Sequence, residues 1–175
     1  MTSFCSYYII YANRGIPRRY GGNMIICFIG HSFVADQAKV KEAVKNRIRE
    51  IIVASDTCIC YLGGYGEFDE LCALACRELK AEGKNLQTVY VTPYLSESEQ
   101  GKIKERQRLG LFDLSVYPPI EKVPKKYAIL KRNEWMIRSA DTVISYVTHT
   151  YGGAYRSLSV ARRSKKNIID INDFI

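Results

Sequence analysis

The chain predicts an α/β fold, a Rossmann-like three-layer sandwich with a mostly parallel sheet and helices on both faces. Short apolar runs alternate with longer stretches of amphipathic helical spacing, the pattern of successive strand–helix units. Several of those runs are continuously apolar, as strands buried on both faces require. Three glycine turns, Gly30-His31, Gly63 to Gly66 and Gly152-Gly153, each fall between such a run and the helix that follows. At 175 residues and 47% apolar content, the chain suits one domain with a full core.

Residues 24–29 (MIICFI) form the first buried strand. Gly30-His31-Ser32 turns the chain, and Asp36 is placed to cap a helix reaching about residue 54. That helix directs Val40, Val44, Ile48, Ile51 and Ile52 inward, with Lys, Arg and Glu opposite. Residues 57–62 (TCICYL) make the next strand. After the glycine loop, a helix carries Phe68, Leu71, Cys72, Ala75 and Leu79 on its apolar side, and Gly83 ends it. Residues 88–92 (TVYVT) form a third strand that Pro93 stops. Residues 96–110 read as a polar surface helix. Residues 112–124, which contain Tyr117-Pro118-Pro119 and Pro124, read as irregular. A helix over about 125–140, a strand over 142–148 (TVISYVT), a helix to about 164 and a strand over 167–171 complete the pattern.

The first 23 residues differ from the rest: they hold Arg14, Arg18 and Arg19, no acidic residue, and Gly21-Gly22. Arg-Tyr-Gly-Gly-Asn-Met is also what a purine-rich ribosome-binding sequence would encode if read in frame. Residues 1–23 are therefore expected to be a non-native or disordered extension, with Met24 the native start and residues 24–175 a single domain of bacterial or phage type. The alternative is a genuine basic arm.

No apolar run approaches the length of a membrane span, and the apolar stretch from Tyr7 to Ala12 lacks a preceding basic region, so a cytoplasmic protein is expected. The net charge of +8 suits an anionic ligand. Basic residues recur over 102–108, 125–132 and 156–166, mostly as solvated helix faces, and no nucleic-acid motif accompanies them. Cys58 and Cys60 alternate along a strand while Cys72 and Cys76 lie one helical turn apart, and no pair has C-x-x-C spacing. Core packing is favoured by roughly nine to one over a metal site or disulfide. No metal or cofactor is expected.

Ligands of such sheets bind outside the carboxyl ends of the strands, near a topological switch point. The glycine turns supply outward-facing N–H groups there, next to helix N-termini. Their spacing is neither G-x-G-x-x-G nor a P-loop, which disfavours a dinucleotide dehydrogenase or a P-loop ATPase. The candidate ligand-binding residues among them are Gly30, His31, Gly63, Gly64, Gly66, Gly152 and Gly153. Of the carboxylates Glu67, Asp69 and Glu70 in the helix's first turn, at least two read as dipole stabilisers. Glu70 is the candidate for a sugar-hydroxyl contact or for stabilising a cationic transition state. His149 reads as solvent-exposed, Phe68 as core, Tyr65 as a base-stacking candidate and Trp135 as packing.

The pattern Gly63-Gly64-x-Gly66-x-x-x-Glu70 resembles the G-G-x-G-T-x-x-E signature of the SLOG superfamily, which includes the Lonely-guy phosphoribohydrolases and the DNA-processing protein DprA. The combination of Gly30-His31, the loop from Gly63 to Asp69, Arg132-Asn133 and Gly152-Gly153 is most similar to the YpsA/YspA-like branch. The resemblance covers about residues 24–171 and implies a Rossmann-like fold that binds nucleotides or nucleotide-derived ligands. It adds Asp69, Arg132 and Asn133 to the candidate ligand-binding residues, with Arg132 pairing to phosphate. Three positions depart from the family patterns: Ser32 replaces an arginine, and Leu62 and Glu67 replace the Pro and Thr of the hydrolase signature. The loss of that Thr predicts no phosphoribohydrolase turnover.

The leading reading is a binder, or sensor, of a nucleotide-type small molecule. The runner-up is an enzyme that cleaves an N-glycosidic bond in a nucleotide or nucleoside, with Glu70 as its catalytic residue. A DprA-like single-stranded nucleic-acid binder is a third reading, resting on the positive charge. Homo-oligomerisation is left open.

Overall fold

The computed structural model describes residues 9–11, 23–53 and 57–175. Seven strands form one sheet in the order β1-β5-β4-β3-β2-β6-β7, and each neighbouring pair is parallel. The strands are β1 (Ile9–Tyr11), β2 (Asn23–Gly30), β3 (Thr57–Leu62), β4 (Leu86–Val91), β5 (Leu114–Tyr117), β6 (Thr142–Tyr146) and β7 (Asn167–Asp170). Between them run α1 (Gln37–Val53), α2 (Glu67–Ala81), α3 (Glu97–Arg108), α4 (Ala128–Ser139) and α5 (Gly152–Arg163). The chain moves outward from β2 through β3, β4 and β5, then returns to the other side of β2 with β6 and β7. The switch point therefore lies between β2 and β6.

β2 shows why the run at 25–29 had to be apolar throughout. Ile26 and Phe28 enter one core cluster with Val40, Val44, Ile48, Phe68 and Leu79 of α1 and α2. Ile25, Cys27 and Ile29 enter another with Met136, Ile137 and Ala161 of α4 and α5. Successive side chains leave opposite faces of a strand, so a half-polar sequence would bury polar atoms against one of these layers. Cys27, Cys58, Cys60, Cys72 and Cys76 are buried free thiols within these clusters. Burial pushes the Cys27 thiol up to about 12, so it stays protonated at neutral pH and behaves as a small hydrophobe. Trp135 stacks on Tyr61 at 5.6 Å between ring centroids, which is packing as expected.

The start of α1 carries the cap expected of Asp36, and α3 has one from Ser96 that the sequence reading did not name. Asp36 accepts from the Lys39 N–H at 3.1 Å, and Ser96 accepts from the Glu99 N–H at 3.4 Å. Two strands differ from expectation. β5 occupies part of the stretch read as irregular, and it pairs with residues 89–91 of β4 before Pro118 ends it. The Asp113 carboxylate fixes its start by accepting from the Thr88 N–H at 2.7 Å, a contact between residues far apart in sequence. β1 falls in the segment expected to be an extension, most of which lies outside the described residues; residues 9–11 pair with residues 115–117 of β5.

Candidate ligand cleft

A cleft of about 520 Å³ opens at the carboxyl ends of β2, β3 and β6, astride the switch point. Its volume falls in the range of small-molecule sites. The loop after β2 contributes Gly30, His31, Ser32 and Phe33; the loop after β3 contributes Gly63 and Tyr65; α2 contributes Asp69. α4 supplies Ile129, Arg132 and Asn133, and the segment after β6 supplies His149, Tyr151, Gly152 and Gly153. Eight of the candidate residues thus share one cleft: Gly30, His31, Gly63, Asp69, Arg132, Asn133, Gly152 and Gly153.

Gly64, Gly66 and Glu70 are not part of its lining. A Cβ on Gly64, whose φ is 72°, would sit 2.2 Å from the Tyr90 ring, so this glycine packs the loop onto β4 and does not face the cleft. A Cβ on Gly66 would meet the Ser32 backbone at 2.7 Å. Glu70 pairs with Arg106 of α3 at 3.0 Å. The three first-turn carboxylates have separate tasks. Glu67 accepts from the Val34 N–H at 2.7 Å and ties α2 to the loop after β2. Asp69 accepts from the Tyr65 N–H at 2.9 Å and closes the glycine loop on itself. Burial raises the Asp69 carboxyl above its usual range, and the Arg132 guanidinium opposes that rise.

Arg132 is 1% exposed, an unusual state for an arginine on a helix surface of this size. Its Nη1 donates to the Gly63 carbonyl at 2.7 Å and to the Val91 carbonyl at 2.6 Å, while Nε donates to Asn133 Oδ1 at 2.8 Å. Its guanidinium carbon lies 5.3 Å from the centroid of the Tyr65 ring. Nη1 of the fork expected to pair with phosphate thus holds two carbonyls at the ends of β3 and β4. Asn133 continues the brace, donating to Ser157 Oγ at 3.1 Å. Tyr65 keeps its ring at the cleft and its hydroxyl on Glu99 at 3.1 Å, and burial with that carboxylate pushes its pKa up to about 12. Phe68 is core, and it packs so closely on Gly30 that a Cβ there would lie 2.2 Å from its ring.

The chain's two histidines meet in this cleft. His31, from the end of β2, and His149, from beyond β6, stack at 3.5 Å between ring centroids and 20° between planes. Tyr151 extends the column, stacking on His149 at 4.0 Å. His31 Nε2 and His149 Nδ1 are buried without a hydrogen-bond partner among the described residues. Burial lowers the His31 pKa, and His149 lowers it further. Sequence reasoning passed over His149 and Tyr151, because their proximity to His31 arises only from the placement of β6 beside β2. The available signal was their position directly after a strand on the path to Gly152-Gly153.

Comparison with known proteins bears on the fold alone. No protein-family model matches the chain, and no curated protein matches it. Among solved structures, DNA processing protein A from Helicobacter pylori, described for its single-stranded DNA binding mode, is similar with a TM-score of 0.58 at 19% identity. The match covers 85% of this chain and 65% of that protein, so this chain spans slightly less than two thirds of it. The molybdenum cofactor carrier protein from Chlamydomonas reinhardtii is similar with a TM-score of 0.50 at 16% identity, over 85% of this chain and 76% of that one. The fold is a Rossmann-like α/β sandwich, and no helix among the described residues is long and apolar enough to cross a membrane.

Proposed function

We propose that the protein binds a nucleotide or nucleotide-derived small molecule in the cleft between β2 and β6, as a member of the SLOG superfamily near its YpsA/YspA-like branch. The observation that carries this reading is the column of His31, His149 and Tyr151 across the switch point. It offers flat aromatic surface beside polar nitrogen, in a cleft also lined by glycines and a carboxylate, as a ring-bearing polar ligand requires. Tyr151 is 70% exposed and Phe33 69%, so large apolar faces stand at the rim where a base would stack. The neighbours in fold, one associated with single-stranded DNA and one with a molybdenum cofactor, are consistent with ligand binding at this architecture and specify no ligand.

The reading as an N-glycosidic hydrolase has weaker support than the sequence alone suggested. Glu70, its proposed catalytic residue, faces Arg106 and is not among the cleft-lining residues. Asp69 is the carboxylate that lines the cleft, and it is engaged with the Tyr65 N–H. A thermal-shift panel of nucleosides, nucleotides and cofactors, with chromatography for released base, tests both readings. A ligand at a hundredfold excess over its Kd stabilises by about 2.7 kcal/mol, a rise in Tm of roughly 5–10 °C for a chain of this size. We expect such a rise for at least one nucleotide without base release. No stabilisation by any member at millimolar concentration would refute the binder, and released base would favour the hydrolase.

A further inference from the structure

The glycine loop after β3, at a helix N-terminus, is the kind of turn that receives an anionic group, and its surroundings make it a poor place for one. The first turn of α2 carries Glu67, Asp69 and Glu70, and Gly64 and Gly66 are filled from behind by Tyr90 and Ser32. The opposite wall of the cleft has the reverse character. α5 has no acidic residue in its first turn and no side-chain cap on its N-terminus. Cβ atoms built on Gly152 and Gly153 meet nothing within 4 Å, so the backbone there is open. Beside it stands the histidine column, in which His31, nine-tenths buried, has an Nε2 without a partner among the described residues. The remaining titratable or charged groups lining the cleft are Asp69, Arg132, Tyr65 and Tyr151. Of these Asp69 and Arg132 sit on the β3 side, engaged with the Tyr65 N–H and the Gly63 carbonyl.

We propose that the ligand's phosphate binds on the β6 side of the cleft, between the open N-terminus of α5 and the His31–His149 pair, leaving the hydroxyl-bearing end towards Asp69. This rests on the nucleotide reading for the hydroxyl end only; the anion site stands on its own geometry. Backbone N–H groups at a helix N-terminus point outward with the positive end of the dipole, and a neighbouring imidazole adds a proton donor or a full charge. An approaching phosphate also favours protonation of His31, so its affinity rises as pH falls towards 6.

The test compares adenosine, adenosine monophosphate and inorganic phosphate by calorimetry, on the wild-type chain and on Gly153→Asp. The new side chain has space, and an acidic residue in a first helical turn suits the dipole, so the fold is retained while phosphate is repelled. The expected result is a loss of about tenfold or more for the monophosphate with adenosine changed less than about twofold. The second arm compares the wild type with His31→Gln at pH 8 and pH 6, which cancels the titration of the phosphate itself. The monophosphate preference should grow on acidification in the wild type and not in the variant. Equal monophosphate binding by Gly153→Asp, or no preference for monophosphate over adenosine in the wild type, overturns the proposal. Inorganic phosphate bound by the wild type and lost in Gly153→Asp, with adenosine bound by neither, upholds the anion site and defeats the nucleotide reading. A wild type that binds none of the three defeats the anion site.

Discussion

Arg132 has an environment that gives it a structural task besides the ligand contact proposed for it. On a solvated helix it would be a neutral substitution, and as a phosphate fork it would govern affinity alone. Held at 1% exposure against the Gly63 and Val91 carbonyls, it is a structural brace for the cleft. Arg132→Ala leaves buried carbonyls without a donor and should lower stability by on the order of 3 kcal/mol in urea unfolding. Arg132→Lys keeps the charge without the planar fork and should recover only part of that loss. A variant as stable as the wild type would contradict the brace. The residue's importance was legible in the resemblance of Arg132-Asn133, but its task was not, because burial of a charged side chain depends on which carbonyls happen to converge on it.

His31 carries a prediction about pH. Its folded pKa lies below the ordinary 6.5, through burial first and His149 second, so the unfolded chain takes up the proton before the folded one does. The stability this contributes is complete above about pH 6.5 and is lost as pH falls through the depressed folded value. Melting temperatures of the ligand-free wild type should therefore drop more between pH 7.5 and 5.5 than those of His31→Gln. Parallel curves would show that His31 titrates as it does in an unfolded peptide.

At the scale of elements, the cleft depends on ties between loops that are distant in sequence. Glu67 of α2 holds the Val34 N–H of the loop after β2, and the Glu67 N–H returns to the Ser32 carbonyl at 3.0 Å. Glu67→Ala leaves the N–H of buried Val34 unsatisfied, which should cost about 1–3 kcal/mol and speed amide exchange at Val34 more than in the strands. Unchanged exchange at Val34 would remove Glu67 from this role. The sequence signals were clearest where the structure is local: the cap Asp36, the apolar stripe of α1 and the doubly buried β2. They were weakest where an element is created by a distant partner. β5 is four residues long, is followed by two prolines, and owes its start to Asp113 reaching Thr88. The glycine loop shows the same limit, since its spacing identified a turn at a strand end and could not tell which glycines face ligand and which face Tyr90.

Across the whole molecule, charge is divided between the two helical layers. On α1 and α2, Lys41, Lys45 and Arg49 pair with Glu78 and Glu82 at 2.6–3.0 Å. α5 contains no acidic residue, and Arg156, Arg162 and Arg163 border a shallow hollow on it. The basic residues of α5 thus have no acidic counterpart on their own helix, whose N-terminus opens onto the cleft, and they raise the local concentration of anionic ligands there. We also propose residues 24–175 as the folding unit, since the residues of both large core clusters lie within them. A chain cut to 24–175 should unfold cooperatively, with a Tm lowered by a few degrees because β5 loses its pairing with residues 9–11. An unchanged Tm would mark the first segment as dispensable, and loss of cooperative unfolding would show that it belongs to the core.

The central claim is that ligand binds in the cleft at the β2–β6 switch point. An amide NMR titration of the full chain with adenosine monophosphate addresses it most directly. A site in the cleft predicts saturable shifts concentrated at residues 30–33, 63–69 and 148–154, with the exposed end of α5, α1 and the rest of α2 silent. Shifts centred instead on residues 156–166, or none at millimolar ligand, would contradict it.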